Sequence, residues 1–387
     1  MTDKNKHYKI AYCTPALYMA GGVERVLTLK ANYLADVLGY DITIILTEGK
    51  DKPSFYPLSD KITVVNLDIN FEVLWNCSIA KKIFIFFFKQ CIYKKRLTKE
   101  LIRIKPDITV STLRREINFL TNIPDGSKKV GELHVNRYNY RDFDSSGNNF
   151  IKKFISKIWM NHLIQKIYEL DSFVVLSKED KNNWYGISNV RVIPDPLSLQ
   201  KRAKSNLLSK RIIAVGRYTY QKGFDLLLQA WSRIEKNNPD WSLAIYGEGD
   251  RSGYYSLLSE LGITPERCQL NECTKDIQKE YLNSSIFVFS SRYEGFGLVL
   301  VEAMSCGLPV VSFACPCGPR DIIDDGENGF LIEPGDVDSF SKSIQKLMNN
   351  PALRKKMSEK AFNSVEKYSL DSIMKKWCLL FESILNK

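Results

Sequence analysis

Two carboxylates stand in the stretch RYEGFGLVLVEAMSCGLPVV, residues 292–311. Glu294 and Glu302 are separated by seven residues of glycine turn and apolar run. Gly295 and Gly297, with Phe296 between them, permit a sharp turn, and Gly307 with Pro309 stops the helix that follows. Leu298 and Val299 then fall in the first helical turn, where backbone amides lack intrahelical partners and the helix dipole is positive. Such a turn can seat a phosphate. Glu302 lies four residues past Leu298 on the same helical face and can reach a diol such as ribose. Glu294, ahead of the turn, faces the other end of the same ligand, where sugar hydroxyls would lie. The plainer alternative makes Glu294 a loop acid and Glu302 the wet side of an amphipathic helix. Against it, Glu302 is the one polar residue between Leu298 and Met304, and a buried carboxylate requires a partner.

Cations suited to a diphosphate stand in GRYTYQKGFDLLLQAW. Arg217 and Lys222 sit on a strand-to-helix loop that begins at Gly216 and ends at Gly223, placed to neutralise a leaving diphosphate. A solvated basic loop is the competing reading. Gly21 and Gly22, in YMAGGVERVL, let backbone approach a ligand closely. YGEGDRSG is an imperfect dinucleotide fingerprint: Gly247 and Gly249 are present, but the third glycine comes one place late, at Gly253. Of three histidines, His134 closes a predicted strand, KVGELH, at the end where ligands bind. His7 in the N-terminal tail and His162 in a helical pattern read as structural or exposed.

These residues need parallel sheets to position them. Short β-branched or aromatic runs alternate with helical patterns, the signature of repeated βαβ units. Strands are expected at YKIAYCT, DITIILT, ITVVNL, DITVST, KVGELH and SFVVLS, then at RIIAVGR, SLAIYG, IFVFSS, PVVSFA and GFLIEP. Between the two series, VRVIPDPLSLQKRAKSNLLSK is proline-rich, polar and basic and reads as a linker. A chain of 387 residues exceeds one ordinary core. The expectation is an α/β protein of two doubly wound, Rossmann-like parallel-sheet domains facing a cleft, 1–195 and 196–370, with an amphipathic helix at about 371–387 packing back on the first. Ligands of such sheets bind beyond the carboxyl ends of the strands.

The composition, 44% hydrophobic and 26% charged, excludes a disordered or collagen-like chain. A net charge of +11 predicts an anionic partner. The charge is uneven: residues 76–105 hold Lys81, Lys82, Lys89, Lys94, Lys95, Arg96, Lys99, Arg103 and Lys105 against one acid, Glu100. Neither a secretion signal nor an uninterrupted membrane-spanning run is read, which points to the cytosol. Cys315 and Cys317, taken with Cys268 and Cys273, fit no familiar zinc-finger spacing, so no metal site is expected of them.

Together these loops resemble the retaining glycosyltransferases of family 4, with the two-domain GT-B fold, over nearly the whole chain. The most specific part is the acid, seven residues, acid pattern of Glu294 and Glu302. GGVER, GRYTYQKG, YGEGD and GPRDIIDDGENGFLIEPGD follow in the family's order. The resemblance implies that Glu302 holds the ribose of a nucleotide diphosphate sugar. It gives Glu294, with the amides of Gly295 to Gly297, the donor sugar hydroxyls, and gives Arg217 and Lys222 the diphosphate. Gly22 would approach the diphosphate from the other domain and His134 would meet the donor sugar. It further implies transfer of a hexose or N-acetylhexosamine, from a UDP-linked donor in the first instance, to a lipid-linked or growing cell-surface glycan. No cofactor and no metal are expected, since cations and a helix end replace the metal. Asp195 stands in VIPDP where relatives often carry Asn, and Cys315 where an acid is common, which leaves donor choice open.

IAKKIFIFFFKQCIYKKRL places Phe84, Phe87, Phe88 and Cys91 on one helical face with lysines flanking, a pattern that lies in a membrane interface and meets anionic headgroups. A second segment within 150–167 sets Phe154, Ile155, Ile158 and Trp159 beside Lys152, Lys153 and Lys157. The competing reading is a core helix with snorkelling lysines. Peripheral attachment to the inner face of the cell membrane, through about 79–96 and a second contact over 150–167, is the resulting expectation. The alternatives are a catalytically silent GT-B scaffold or lipid-binding protein, and a nicotinamide-dependent oxidoreductase suggested by YGEGDRSG alone. Nucleic acid ranks last as a partner, because the basic residues alternate with apolar runs rather than with stacking positions on a sheet.

Overall fold

The computed structural model describes residues 7–76, 79–140, 150–199 and 203–386. The chain divides into two compact units. The first is Met1–Leu176, Asp180–Pro196 and Ile373–Lys387, and the second is Ser177–Glu179 and Leu197–Ser372.

The first unit is built on seven parallel strands: β1 Lys9–Thr14, β2 Asp41–Leu46, β3 Thr63–Asn66, β4 Ile108–Ser111, β5 Lys128–Leu133, β6 Ser172–Val175 and β7 Val190–Val192. Their order is β3-β2-β1-β4-β5-β6-β7. The strands are near-continuous apolar runs because both sheet faces are covered; Ile10 to Cys13 and Ile42 to Ile45 are almost all fully buried. The sequence order reverses between β1 and β4, so the loops after those strands flank a topological switch point. Gly22 begins the helix Gly22–Asp36 after β1, and a Cβ added there would meet nothing within 4 Å.

The second unit holds six parallel strands: β8 Arg211–Val215, β9 Ser242–Tyr246, β10 Cys268–Asn271, β11 Ile286–Phe289, β12 Val310–Phe313 and β13 Gly329–Ile332. Their order is β10-β9-β8-β11-β12-β13, which puts the switch point between β8 and β11. Trp231 and Phe224 of the helix Phe224–Ile234, with Phe340 and Leu347 of the helix Val337–Asn349, cover one face of this sheet.

Two strands differ from the sequence reading. Val190–Val192 is not linker but an edge strand, with Phe173 opposite Val190 and Val175 opposite Val192. Cys268–Asn271, absent from the predicted set, is likewise an edge strand, beside β9. The rest of the expected linker is also tied down. The amide of Ser205 donates to the Cys306 carbonyl, and its hydroxyl donates to the Ser284 carbonyl at 2.6 Å.

Among the described residues, no helix is long and apolar enough to cross a membrane. The helix Ile79–Ile104 buries Tyr93, Leu97 and Leu101 in the first unit's core. Its first half turns Phe84, Phe87 and Phe88 outward at 75%, 63% and 60% exposure, with Cys91 on the same face. Lys81, Lys94, Lys95 and Lys99 are exposed around it. In the helix Phe150–Tyr168, Ile158 is exposed and Trp159 packs near Phe86; the side chains of Lys152, Lys153, Phe154, Ile155 and Lys157 lie outside the described residues.

Candidate active site

The carboxyl ends of β8 and β11 carry the groups that the sequence singles out. After β8 the chain passes through Gly216 and Arg217 into a single 3-10 turn, Tyr220–Lys222, and enters the helix Phe224–Ile234 at Gly223. Gly223 has φ +62°, and a Cβ there would lie 2.1 Å from the Ser290 carbonyl oxygen, so glycine is required by both conformation and space. That close approach brings Lys222 against the β11 loop. Its Nζ donates to Oε1 of Glu294 at 2.7 Å, and its own carbonyl accepts from the Ser290 hydroxyl. The lysine stem runs past Gly216, where a Cβ would come within 3.0 Å of it. Gly247 is similarly confined, with a Cβ position 1.8 Å from the Gly216 carbonyl oxygen. The first two glycines of the dinucleotide-like motif thus serve strand-loop packing and a turn, while the third, Gly253, sits inside the helix Ser252–Glu260.

Arg217 is exposed and makes no ion pair among the described residues. A second arginine shapes the loop. Arg292 forms a two-bond pair with Asp225 at 2.8 and 2.6 Å and lies over the Tyr220 ring at 4.0 Å. Asp225 beside it pushes the Arg292 guanidinium up.

Glu294 is buried, and its amide donates to the Pro316 carbonyl. Gly297, at φ +90°, opens the helix Leu298–Ser305, whose first-turn residues Leu298 and Val299 remain half-buried while Leu300 to Ser305 are buried. Phe296 is buried edge-on against Tyr368, 5.4 Å between ring centres, so what the turn offers a ligand there is backbone. Gly295 is half-buried between the buried Glu294 and Phe296.

Glu302 is 2% exposed and has hydroxyl partners: Ser198 donates to Oε1 and Tyr281 to Oε2 at 3.3 Å. Neither partner is evident in the sequence, since Ser198 is 104 residues away and Tyr281 is 21. Two hydroxyls on one carboxylate are the arrangement that a ribose diol would present, so the side chain is already organised as an acceptor of paired O–H groups.

His134 lies in the first unit, one residue beyond β5. Its Nε2 approaches Oε1 of Glu132 at 3.4 Å, and its Nδ1 approaches Oδ1 of Asp195 at 3.6 Å. These separations are ion-pair rather than hydrogen-bond distances. Lys30, 1% exposed, donates to Glu132 Oε1 from the helix Gly22–Asp36 and lies 4.2 Å from the Trp377 ring centre. Glu132 was legible in principle, because residues two apart on a strand share a face. Glu132, His134 and Asp195 are the one group among the described residues with the composition and spacing to hold a metal ion. The fit is poor: the Lys30 ammonium already occupies the place of a cation on Glu132. Cys268, Cys273, Cys315 and Cys317 form no such group, and Cys273 is exposed while the other three are buried.

Residues 198–364 match the family model described as glycosyl transferases group 1. That segment contains Arg217, Lys222, Glu294 and Glu302. Over 95% of this chain and 98% of the relative, the protein is 29% identical to an uncharacterized glycosyltransferase of Haemophilus influenzae. It is 24% identical to the amylovoran biosynthesis glycosyltransferase AmsD of Erwinia amylovora, over 96% of this chain and 98% of AmsD. Among solved structures, a variant of S. aureus TarM in complex with fondaparinux, α-GlcNAc-glycerol and UDP superposes with a TM-score of 0.76. The two are 18% identical, and the match covers 97% of this chain and 99% of that one. The fold is GT-B, with two Rossmann-like parallel-sheet domains.

Proposed function

We propose that this protein is a retaining glycosyltransferase that moves a hexose or N-acetylhexosamine from a nucleotide diphosphate sugar, UDP-linked in the first instance, to a lipid-linked or growing cell-surface glycan. The reading rests on one juxtaposition. The Lys222–Glu294 pair and the loop bearing Arg217 stand at the β8/β11 switch point, and the helix that follows the same turn carries Glu302. A cation and a helix opening suit the phosphates, the acid Glu294 the sugar hydroxyls, and the diol acceptor Glu302 the pentose.

In this reading Arg217 and Lys222 neutralise the diphosphate, the amides of Gly297, Leu298 and Val299 contribute the helix end, Glu294 accepts from donor sugar hydroxyls, and Glu302 takes the ribose. Gly22 and His134 keep the donor-side roles that the resemblance gives them. The bond from C1 to the phosphate oxygen breaks, the acceptor oxygen bonds to C1 on the same face, and the acceptor proton passes to the departing phosphate oxygen. The anomeric configuration is retained without an enzymic nucleophile. The two acids therefore do different work from a hydrolase's acid and nucleophile. The positive charge that a metal would otherwise supply comes from the two side chains and the helix end, so the reaction as drawn includes no metal.

A polymer acceptor is supported by the similarity to AmsD, a glycosyltransferase of amylovoran biosynthesis. A membrane-bound acceptor is supported by the exposed Phe84, Phe87 and Phe88 face with lysines around it, which suits the interface of an anionic bilayer.

A panel of UDP- and GDP-sugars, screened for protection against thermal unfolding and then for turnover, tests the reading. A UDP-sugar should give the largest rise in Tm, and NMR of the product should show the donor's anomeric configuration preserved. Protection by GDP-sugars alone would reassign the base, and an inverted product would overturn retention.

A further inference from the structure

We propose that Glu132 and Asp195, with Lys30 behind them, are positioning residues that hold the His134 side chain as a cation, so that it can donate a hydrogen bond but cannot act as a base. The argument begins with charge balance. Two carboxylates, their side chains 2% and 11% exposed, converge on one imidazole, and Lys30 matches only one of them. With a neutral imidazole the cluster would keep one uncompensated buried negative charge; with an imidazolium it sums to zero. An unpaired buried charge is costly, and protonation removes the cost.

Geometry agrees. Each ring nitrogen of His134 faces a carboxylate oxygen at ion-pair distance, so an imidazolium turns an N–H toward each buried charge, whereas a neutral ring would turn a lone pair on one of them. Oε2 of Glu132, Oδ1 of Asp195 and Nε2 of His134 itself are buried without a hydrogen-bond partner, so the ring is held to the carboxylates by charge rather than by hydrogen bonds. Four elements contribute the ionisable groups of this cluster: Glu132 from β5, Asp195 from the segment after β7, Lys30 from the helix Gly22–Asp36, and Tyr12 from β1. Burial, then Glu132, pushes the Tyr12 phenol up, so it stays neutral. Burial by itself would lower the imidazole, but Glu132 and Asp195 outweigh it and raise His134 to about 9.

The test reads the charge directly and does not depend on the glycosyltransfer reading for its first arm. With three histidines in the chain, side-chain NMR titration of the intact protein resolves His134 once His134→Gln has assigned its signal. The wild-type midpoint should lie well above the ordinary histidine value near 6.5. In Asp195→Asn, which keeps the shape, it should fall by about one to three pH units, and Asp195→Glu should restore it. A wild-type midpoint near 6.5, or no change in Asp195→Asn, would overturn the proposal. So would uptake of one equivalent of Zn²⁺ by the EDTA-treated protein with loss of the His134 signal.

The second arm rests on the proposed transferase activity and reads kcat against pH at saturating donor. A cation gives activity that falls as pH rises through the His134 midpoint, and Asp195→Asn should move that alkaline limb to lower pH with little change in KM. An acid limb that tracks His134 instead would make it a base and overturn the claim. Absence of any turnover, with the NMR result intact, would fault the transferase reading alone.

Discussion

At the residue scale, the site depends on where charge is buried and what answers it. Lys222 and Glu294 answer each other at 2.7 Å, and Glu302 is answered by two hydroxyls, so each group is held in place before a ligand arrives. The Lys30–Glu132–His134–Asp195 cluster carries the clearest pH signature. Burial would raise the Glu132 carboxyl, but Lys30 and His134 overcome that and hold it at about 2. Its contribution to stability is present above the ordinary carboxylate range and lost as pH falls through about 2. The His134 shift runs the other way: its contribution is full below about pH 6.5 and disappears as pH rises through about 9. Denaturant midpoints should therefore drop between pH 6.5 and 9.5, and His134→Gln should flatten that drop. Glu294 and Glu302 were readable from sequence because glycines and an apolar run isolated them. Ser198, Tyr281 and Asp195 were not assigned roles, because their partners lie 104, 21 and about 60 residues away and only the fold unites them.

At the element scale, eleven strand segments were legible because parallel strands buried on both faces are apolar runs bounded by turns. The two that escaped, Val190–Val192 and Cys268–Asn271, are edge strands of three and four residues; one runs into a proline stretch and the other reads as polar alternation. The loops of the site depend on glycine at defined points. Gly223→Ala must carry a left-handed φ and a Cβ 2.1 Å from a carbonyl oxygen. It should cost at least about 2 kcal/mol. Chemical denaturation would measure this, and because the change displaces Lys222 from Glu294, donor affinity should fall as well. The helix Ile79–Ile104 combines a buried face with an exposed aromatic one. Replacing Phe84, Phe87 and Phe88 by Ser should lower binding to vesicles of anionic lipid at low salt by more than about tenfold, given ~1.5 kcal/mol or more for each buried aromatic. The Tm should be nearly unchanged, because these side chains pack little of the core. Equal flotation of the variant and the wild type would remove the membrane-facing role.

At the scale of the molecule, each unit is a doubly wound sheet with its own switch point, and Arg217, Lys222 and Glu294 fall at the second unit's, between β8 and β11. The same segment carries the match to group 1 glycosyl transferases, while similarity to the Haemophilus influenzae glycosyltransferase extends over 95% of the chain. The central claim is that Lys222, Glu294 and Glu302 form a nucleotide-sugar seat. Calorimetric titration of UDP into the protein in the presence of EDTA, beside Glu302→Ala, tests it most directly. One-to-one binding by the wild type and a loss of about tenfold or more in the variant is the predicted result, about 1.4 kcal/mol or more. Identical UDP affinity in the two proteins, or no UDP binding by either, would contradict it.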